Sequence, residues 1–123
     1  MAISSIDVRA AHDKLTTGKT VLVDVRAPGE YGSGHAAGAV NVPLGKLERR
    51  IGEIPADRPV LVICQSGRRS EIAVATLRSL GRKNVVNVLG GTAAWRQASL
   101  PIERTPRSPV MEKIAALFRA KGR

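Results

Sequence analysis

Residues 60–70 read VLVICQSGRRS, and this stretch decides how the rest of the chain is interpreted. Its first four residues are all apolar and mostly β-branched, which predicts a short strand buried on both faces of a sheet. Cys64, the only cysteine in the chain, follows at once. Beyond the next few polar residues, apolar side chains at helical spacing predict a helix from Glu71 to Leu80. A thiol is therefore expected at the carboxyl end of a strand, which is where ligands bind in open α/β sheets.

The loop from Gln65 to Ser70 has the composition of an anion-binding site. Gly67 lets the backbone curl, and the N–H groups that open the following helix have no partner within that helix. Together with the helix dipole they attract negative charge, and Arg68 and Arg69 add positive charge. The same features favour thiolate over thiol, so we expect a depressed pKa for Cys64 and a nucleophilic side chain near neutral pH. A cysteine serving only as a small buried apolar residue would not explain the glycine and the two arginines.

Composition limits the class of protein. A chain of 123 residues is long enough for one domain with its own core. It has no apolar run long enough to span a membrane, no secretory signal and a single cysteine, so we expect a soluble cytoplasmic protein. The 20 Lys and Arg against 10 Asp and Glu give a net charge of +10, which suits small anions or an acidic partner. With one Trp, one Tyr and one Phe, the chain lacks a stacking platform, and nucleic-acid binding is not expected.

Strands alternate with helices along the chain. Besides residues 60–63, the predicted strands are a short one opening at Ile6, Val21 to Val25, Val40 to Val42, and Val85 to Leu89. The other predicted helices are Val8 to Leu15 with Asp7 as N-cap, a short helix that begins around Ala27 and Pro28 and ends near Gly32 or Gly34, Leu44 to Ile51, and a last helix through Ala98 capped by Thr92. This alternation predicts an α/β fold in which a parallel sheet of about five strands is covered by helices on both faces.

The C-terminal part of the chain departs from this pattern. The segment from Pro101 to Pro109 contains three prolines, which predicts a linker. A basic amphipathic helix is predicted to follow it, with an apolar stripe from Val110 to Phe118. We therefore divide the chain into a domain over residues 1–103 and a linker with a helix over residues 104–123. The stripe is expected to dock on the domain or to mediate self-association, and membrane association is not expected.

Several motifs, in order and at matching separations, resemble those of the single-domain rhodanese, or thiosulfate sulfurtransferase, family. They are LVDVR at 22–26, EY at 30–31, GH at 34–35, GAVNVP at 38–43, CQSGRRS at 64–70, GG at 90–91 and AW at 94–95. The resemblance extends from about Ile6 to Pro101 and leaves out the tail. It implies the rhodanese-like three-layer fold with its central parallel sheet.

The same resemblance implies a ping-pong sulfur transfer through Cys64. The thiolate would attack the outer sulfur of thiosulfate, release sulfite and hold a persulfide, which cyanide or a thiol would then discharge. The residues expected to bind the anionic donor are Gln65, Ser66, Gly67, Arg68 and Arg69. No cofactor and no metal are expected. Since the chain has no second cysteine, the acceptor must come from outside it.

Two other functions remain open on the sequence. A cysteine phosphatase or arsenate reductase also places a Cys and an Arg around an anion-binding loop. Tyrosine-phosphatase loops have five residues between the two, whereas four, Gln65 to Arg68, separate Cys64 from Arg69. A loop shorter by one residue should be too narrow for a tetrahedral phosphate. The other alternative is a non-catalytic rhodanese-like interaction module, although such modules commonly lose the cysteine that is present here.

Five residues outside the loop are interpreted as structural. A thiolate at a helix N-terminus needs no general base, so His35 is expected to support the fold. Asp24 and Arg26 are expected to form a buried pair that braces the neighbourhood of the loop. Trp95 is expected to pack beside the site, and His12 to lie on the surface of a helix.

Overall fold

A five-stranded parallel sheet organises the part of the protein that the computed structural model describes, residues 4–104. The strands within these residues are β1 (Ser5–Ile6), β2 (Val21–Asp24), β3 (His35–Ala36), β4 (Val40–Asn41), β5 (Val60–Ile63), β6 (Val85–Val88) and β7 (Ile102–Glu103). The main sheet has the order β1-β6-β5-β2-β4, and every neighbouring pair is parallel. This confirms the predicted α/β class. The strands β3 and β7 form a separate antiparallel pair that the sequence pattern did not indicate.

The helices are α1 (Val8–Leu15), α2 (Pro28–Gly32), α3 (Arg68–Ser79) and α4 (Gly91–Gln97). The first has the predicted bounds, because Asp7 caps it by accepting a hydrogen bond from the Ala10 N–H at 2.8 Å. The last differs at its start: Gly90, with φ +74°, is the N-cap, and Thr92 lies inside the helix. The prediction of Thr92 as the cap was therefore wrong, because its hydroxyl is used elsewhere.

The predicted helix from Leu44 to Ile51 is replaced by two 3-10 turns, Leu44–Lys46 and Ile51–Glu53. In the second turn, the Ile54 N–H donates to Ile51 O at 3.0 Å, a bond between residues three apart. Leu47 and Ile54 are both buried. The apolar spacing therefore identified a segment packed on the core, but spacing alone does not separate an α-helix from successive tighter turns.

The sheet separates two buried clusters, which confirms that both of its faces are covered. On one face Val60 and Val62 pack with residues of α3 and with the two 3-10 turns. On the other face Leu61 and Ile63 pack with residues of α1 and α4. Since successive side chains of a strand point to opposite faces, all four residues of β5 are buried and read as a continuous apolar run.

No helix within residues 4–104 is long and apolar enough to cross a membrane. The predicted C-terminal helix, with its stripe from Val110 to Phe118, falls outside the described residues.

Candidate active site

Cys64 follows β5 directly, at the carboxyl edge of the sheet, and is 1% exposed. Its side chain belongs to the same buried cluster as Ala73 and Val74 of α3. The Gly67 N–H donates to Sγ at 3.1 Å, and the Ser70 Oγ lies 3.4 Å from Sγ. The sulfur atom is therefore held against the N-terminal end of α3, as the strand-loop-helix pattern predicted.

The helix α3 begins at Arg68, three residues earlier than predicted. Gly67 precedes it with φ +103°, a conformation that residues with a Cβ rarely adopt, so the glycine permits the turn from loop to helix. The apolar periodicity starts only at Ala73, because the first turn of the helix faces the loop. Arg68, Arg69 and Ser70 thus belong to that first turn.

The environment of Cys64 favours the thiolate. Burial raises the pKa of the Cys64 thiol, but hydrogen bonds from the Ser70 hydroxyl and from the backbone N–H groups of Ser70, Gly67 and Ser66 outweigh burial and hold that pKa below its ordinary value. Hydrogen bonding at the start of α3 is thus what lowers the pKa of Cys64.

The N-terminus of α4 holds the other side of the loop. The Thr92 N–H and hydroxyl both donate to Cys64 O, and the Ala93 N–H donates to Gln65 O at 3.0 Å. Gly91, with φ +58°, lies so close that a Cβ at this position would stand 2.5 Å from Cys64 O. Because α4 binds the carbonyl groups of Cys64 and Gln65, it fixes the loop in a conformation in which backbone N–H groups face Sγ. The pair of glycines indicates a turn in the sequence, but not which carbonyl groups the following helix would bind.

Asp24 and Arg26 form a buried ion pair beside the loop, as predicted. Arg26 Nη2 lies 2.9 Å from Asp24 Oδ2, and the two residues are 4% and 0% exposed. The same guanidinium donates to Gly34 O at 2.8 Å and to the Gln65 Oε1 at 3.4 Å. The pair therefore links the end of β2 to the first residue of the loop.

The predicted donor-binding residues lie together in the loop and the first turn of α3, but the two arginines differ. The Arg69 guanidinium makes two hydrogen bonds to the Glu30 carboxylate, at 2.7 and 2.9 Å. These bonds lower the pKa of Glu30 to about 2. Much of the charge of Arg69 is thus offset by Glu30. Arg68 is exposed and has no hydrogen-bond or ion-pair partner within residues 4–104.

The remaining residues singled out by the sequence lie at the tip of the loop or are buried near it. Gln65 and Ser66 are exposed, whereas Gly67 is buried. His35 is buried, bonds to Tyr31 O through Nδ1 at 2.8 Å and stacks on the Tyr31 ring, which supports its structural interpretation. Trp95 is fully buried, as expected for a packing residue.

His12 is half-buried rather than fully on the surface. Its ring lies 5.8 Å from the Trp95 ring in an edge-to-face arrangement, and it thus packs α1 against α4.

A parallel α/β sheet that ends in a buried cysteine, a curled loop and a helix N-terminus is a scaffold for nucleophilic sulfur chemistry on an anion. Comparison with protein families agrees with that class: the Rhodanese-like domain family matches residues 7–98. The chain belongs to the rhodanese-like domain family.

Known proteins similar to this chain include sulfurtransferases. A sulfurtransferase of Allochromatium vinosum is 38% identical over 101 residues, covering 81% of this chain and 94% of that protein. Thiosulfate sulfurtransferase 16, chloroplastic, of Arabidopsis thaliana is 38% identical over 110 residues, covering 80% and 91%. The putative sulfur carrier protein YrkF of Bacillus subtilis is 37% identical over 95 residues, which are 76% of this chain. The chain spans only about half, 51%, of the length of YrkF.

Among solved structures, a rhodanese-related protein of Thermoplasma volcanium has the same fold. It aligns with a TM-score of 0.76 and 30% identity, covering 83% of this chain and 99% of that one. These relatives place the chain in a family of sulfur-transfer proteins.

Proposed function

We propose that the protein transfers the outer sulfur of thiosulfate through a persulfide on Cys64 to an external thiol, or to cyanide in an assay. The observation that carries this proposal is the position of Sγ, which accepts the Gly67 N–H at 3.1 Å at the start of α3. The positive end of the helix dipole that favours a thiolate at Sγ also favours a persulfide, whose negative charge lies on the sulfur one S–S bond further out.

The first half-reaction balances without a cofactor. The Cys64 thiolate attacks the outer sulfur of thiosulfate, a new S–S bond forms, and the old S–S bond breaks with its electron pair leaving on sulfite. In the second half-reaction cyanide or a thiolate attacks the outer persulfide sulfur and regenerates the Cys64 thiolate. Thiocyanate or an external persulfide is the product.

The burial of Cys64 favours a donor that can extend one atom into the site. The outer sulfur of thiosulfate projects from its sulfonate as a single atom, whereas the phosphorus of a phosphate ester is enclosed by four oxygens. The name of the Arabidopsis relative also specifies thiosulfate for that protein. Thiosulfate is therefore the donor we propose.

The position of Arg69 argues against a phosphatase or arsenate reductase. These enzymes need an arginine that is free to bind the oxyanion through both arms of its guanidinium. Here Glu30 already occupies both arms, at 2.7 and 2.9 Å. Arg68 is exposed and has no ion-pair partner within residues 4–104, so its charge can attract an anion toward the loop.

A direct comparison of donors tests the proposal. The purified protein is supplied with thiosulfate, 3-mercaptopyruvate, glutathione persulfide or an aryl phosphate, and sulfur transfer or phosphate release is measured, with Cys64→Ser as control. We expect turnover of thiosulfate with cyanide or a thiol, and none by the control. Turnover of the aryl phosphate at a comparable rate would overturn the proposal. Turnover of another sulfur donor but not thiosulfate would contradict the choice of donor.

A further inference from the structure

Asn87 is a fully buried polar residue in the middle of the sheet, next to the cysteine. It lies on β6, and strand alternation places its side chain on the same face as Val85, which packs against α3. Its Oδ1 accepts a hydrogen bond from the Ser70 hydroxyl. Its Nδ2 has no hydrogen-bond partner among residues 4–104. A buried amide with one satisfied end and one orphaned end calls for an explanation.

The Ser70 hydroxyl has one hydrogen to share among three neighbours. Its Oγ lies 3.4 Å from Cys64 Sγ, 3.1 Å from Gly67 O, and at hydrogen-bond distance from Asn87 Oδ1. When Cys64 is a thiol, its S–H can donate to Ser70, and Ser70 can donate to Asn87. When Cys64 is a thiolate, all three neighbours are acceptors. If the Ser70 hydroxyl then donates its hydrogen to Asn87 Oδ1, it cannot also donate that hydrogen to Sγ.

We propose that Asn87 is a positioning residue that turns the Ser70 hydroxyl toward the Cys64 thiolate. Rotating the side-chain amide by about 180° exchanges the positions of Oδ1 and Nδ2. In that orientation the Nδ2–H donates to Ser70 Oγ, and the Ser70 O–H is released to donate to Sγ. The nitrogen thereby gains Ser70 as a partner, and Oδ1 takes the position without a partner, so the rotation changes the direction of the bond to Ser70 and not the number of bonds. The amide thus responds to the charge of the sulfur.

The surrounding charges do not supply an alternative switch. The ionisable groups near Cys64 are Arg69 of α3, which is paired with Glu30 of α2, and the buried Asp24–Arg26 pair at the end of β2. On the side of β6 and α4, the polar side chains hydrogen-bonded to the site are those of Asn87 and Thr92, which do not titrate. The hydroxyl and the amide are therefore the neutral groups that can reorient when the thiol ionises.

A double-mutant cycle tests this role. The rate of iodoacetamide alkylation of Cys64 is measured against pH in the full chain, in Asn87→Leu, in Ser70→Ala and in the double variant. We expect each single substitution to raise the apparent pKa of Cys64 by about one unit, a roughly tenfold fall in thiolate below that pKa. We expect the double variant to equal Ser70→Ala. Asn84→Leu removes an amide that bonds to Pro55 O, away from the thiol, and should leave the apparent pKa unchanged.

Two outcomes would overturn the proposal. One is an unchanged apparent pKa in folded Asn87→Leu. The other is the same increase with and without Ser70, which would mean that Asn87 does not act through the hydroxyl.

A measurement on the unaltered protein covers the case in which Asn87→Leu does not fold. The side-chain amide resonances of Asn87 are followed by NMR as pH is raised. We expect them to shift with the same midpoint as the alkylation of Cys64. Resonances that stay constant through that midpoint would refute the role of Asn87.

The role of Asn87 rests on the proposed function only in taking the Cys64 thiolate as the reactive species. Alkylation and NMR need no sulfur donor, so their results are independent of which donor is used. A protein that shows the expected cycle but does not consume thiosulfate would refute the proposed function and leave the inference on Asn87 standing. A protein that consumes thiosulfate but does not show the expected cycle would refute only the inference on Asn87.

Discussion

Thr92 donates twice to the carbonyl oxygen of Cys64, through its backbone N–H at 2.8 Å and its hydroxyl at 3.0 Å. Thr92 is fully buried, so water cannot replace either bond. The helix that follows the last main-sheet strand thus fixes the backbone of the cysteine from the side opposite α3. Cys64 is thus held by two helix N-termini: that of α3 faces its sulfur atom, and that of α4 binds its carbonyl oxygen.

Removing the Thr92 hydroxyl should loosen this contact. In Thr92→Val the backbone bond remains, so we expect a loss of about 1 kcal/mol in the free energy of unfolding. We also expect a lower kcat with thiosulfate, because the loop is held by fewer bonds. Urea unfolding and steady-state rates measure the two effects. Thr17→Val, which removes an exposed hydroxyl bonded to Lys14 O, is the matched control. Wild-type stability and rate in Thr92→Val would contradict this role.

Gly91→Ala should be far more damaging than a glycine substitution at a similar backbone angle elsewhere. At Gly91 the new Cβ would lie 2.5 Å from Cys64 O and 2.6 Å from the Gln65 carbonyl carbon. We expect a loss of about 3 kcal/mol or more in stability, together with loss of sulfur transfer. Gly18, with φ +76°, has nothing within 4 Å of the corresponding position, so Gly18→Ala should cost only about 1 kcal/mol. Equal losses of stability in the two variants would show that backbone strain alone is responsible.

The Glu30–Arg69 pair should make stability depend on acid pH. The hydrogen bonds from Arg69 lower the pKa of Glu30 from 4.5 to about 2, so the folded protein prefers the carboxylate. The contribution to stability is complete above about pH 4.5 and is lost as the pH falls through 2. We expect Glu30→Gln to be less stable than wild type at pH 6 and to approach wild-type stability near pH 2. Unfolding curves at several pH values measure this difference. A constant difference across that range would mean that the pair is not the cause.

Sequence patterns predicted the fold well because it depends on apolar periodicity. The continuous apolar run of β5, the Asp7 cap and the Asp24–Arg26 pair all have local signatures, and each was found where expected. The bounds of α3 were missed, because Arg68 and Arg69 open the helix without an apolar residue to mark it. Elements without a local signature, such as the antiparallel pair of β3 and β7, were missed altogether.

The site itself could be predicted only in part. A cysteine after a strand and a glycine in the loop indicate a nucleophile at a helix start, and the structure places Cys64 at the start of α3. The pairing of Arg69 with Glu30 could not be inferred, because the two residues are 39 positions apart. For the same reason, the contacts of Thr92 with Cys64 and of Asn87 with Ser70 were not predicted. Long-range contacts of this kind depend on how the helices pack, which the sequence pattern does not specify.

Identification of the covalent intermediate tests the central claim most directly. The protein is incubated with thiosulfate alone, its intact mass is measured, and released sulfite is quantified. Cyanide is then added. Cys64→Ser, shown to be folded by its unfolding curve, is treated in parallel. We predict that the wild-type protein gains the mass of one sulfur atom, releases one sulfite per chain, and returns to its original mass as thiocyanate forms. We predict that Cys64→Ser does none of these. Release of sulfite by Cys64→Ser at the wild-type rate would contradict the persulfide mechanism.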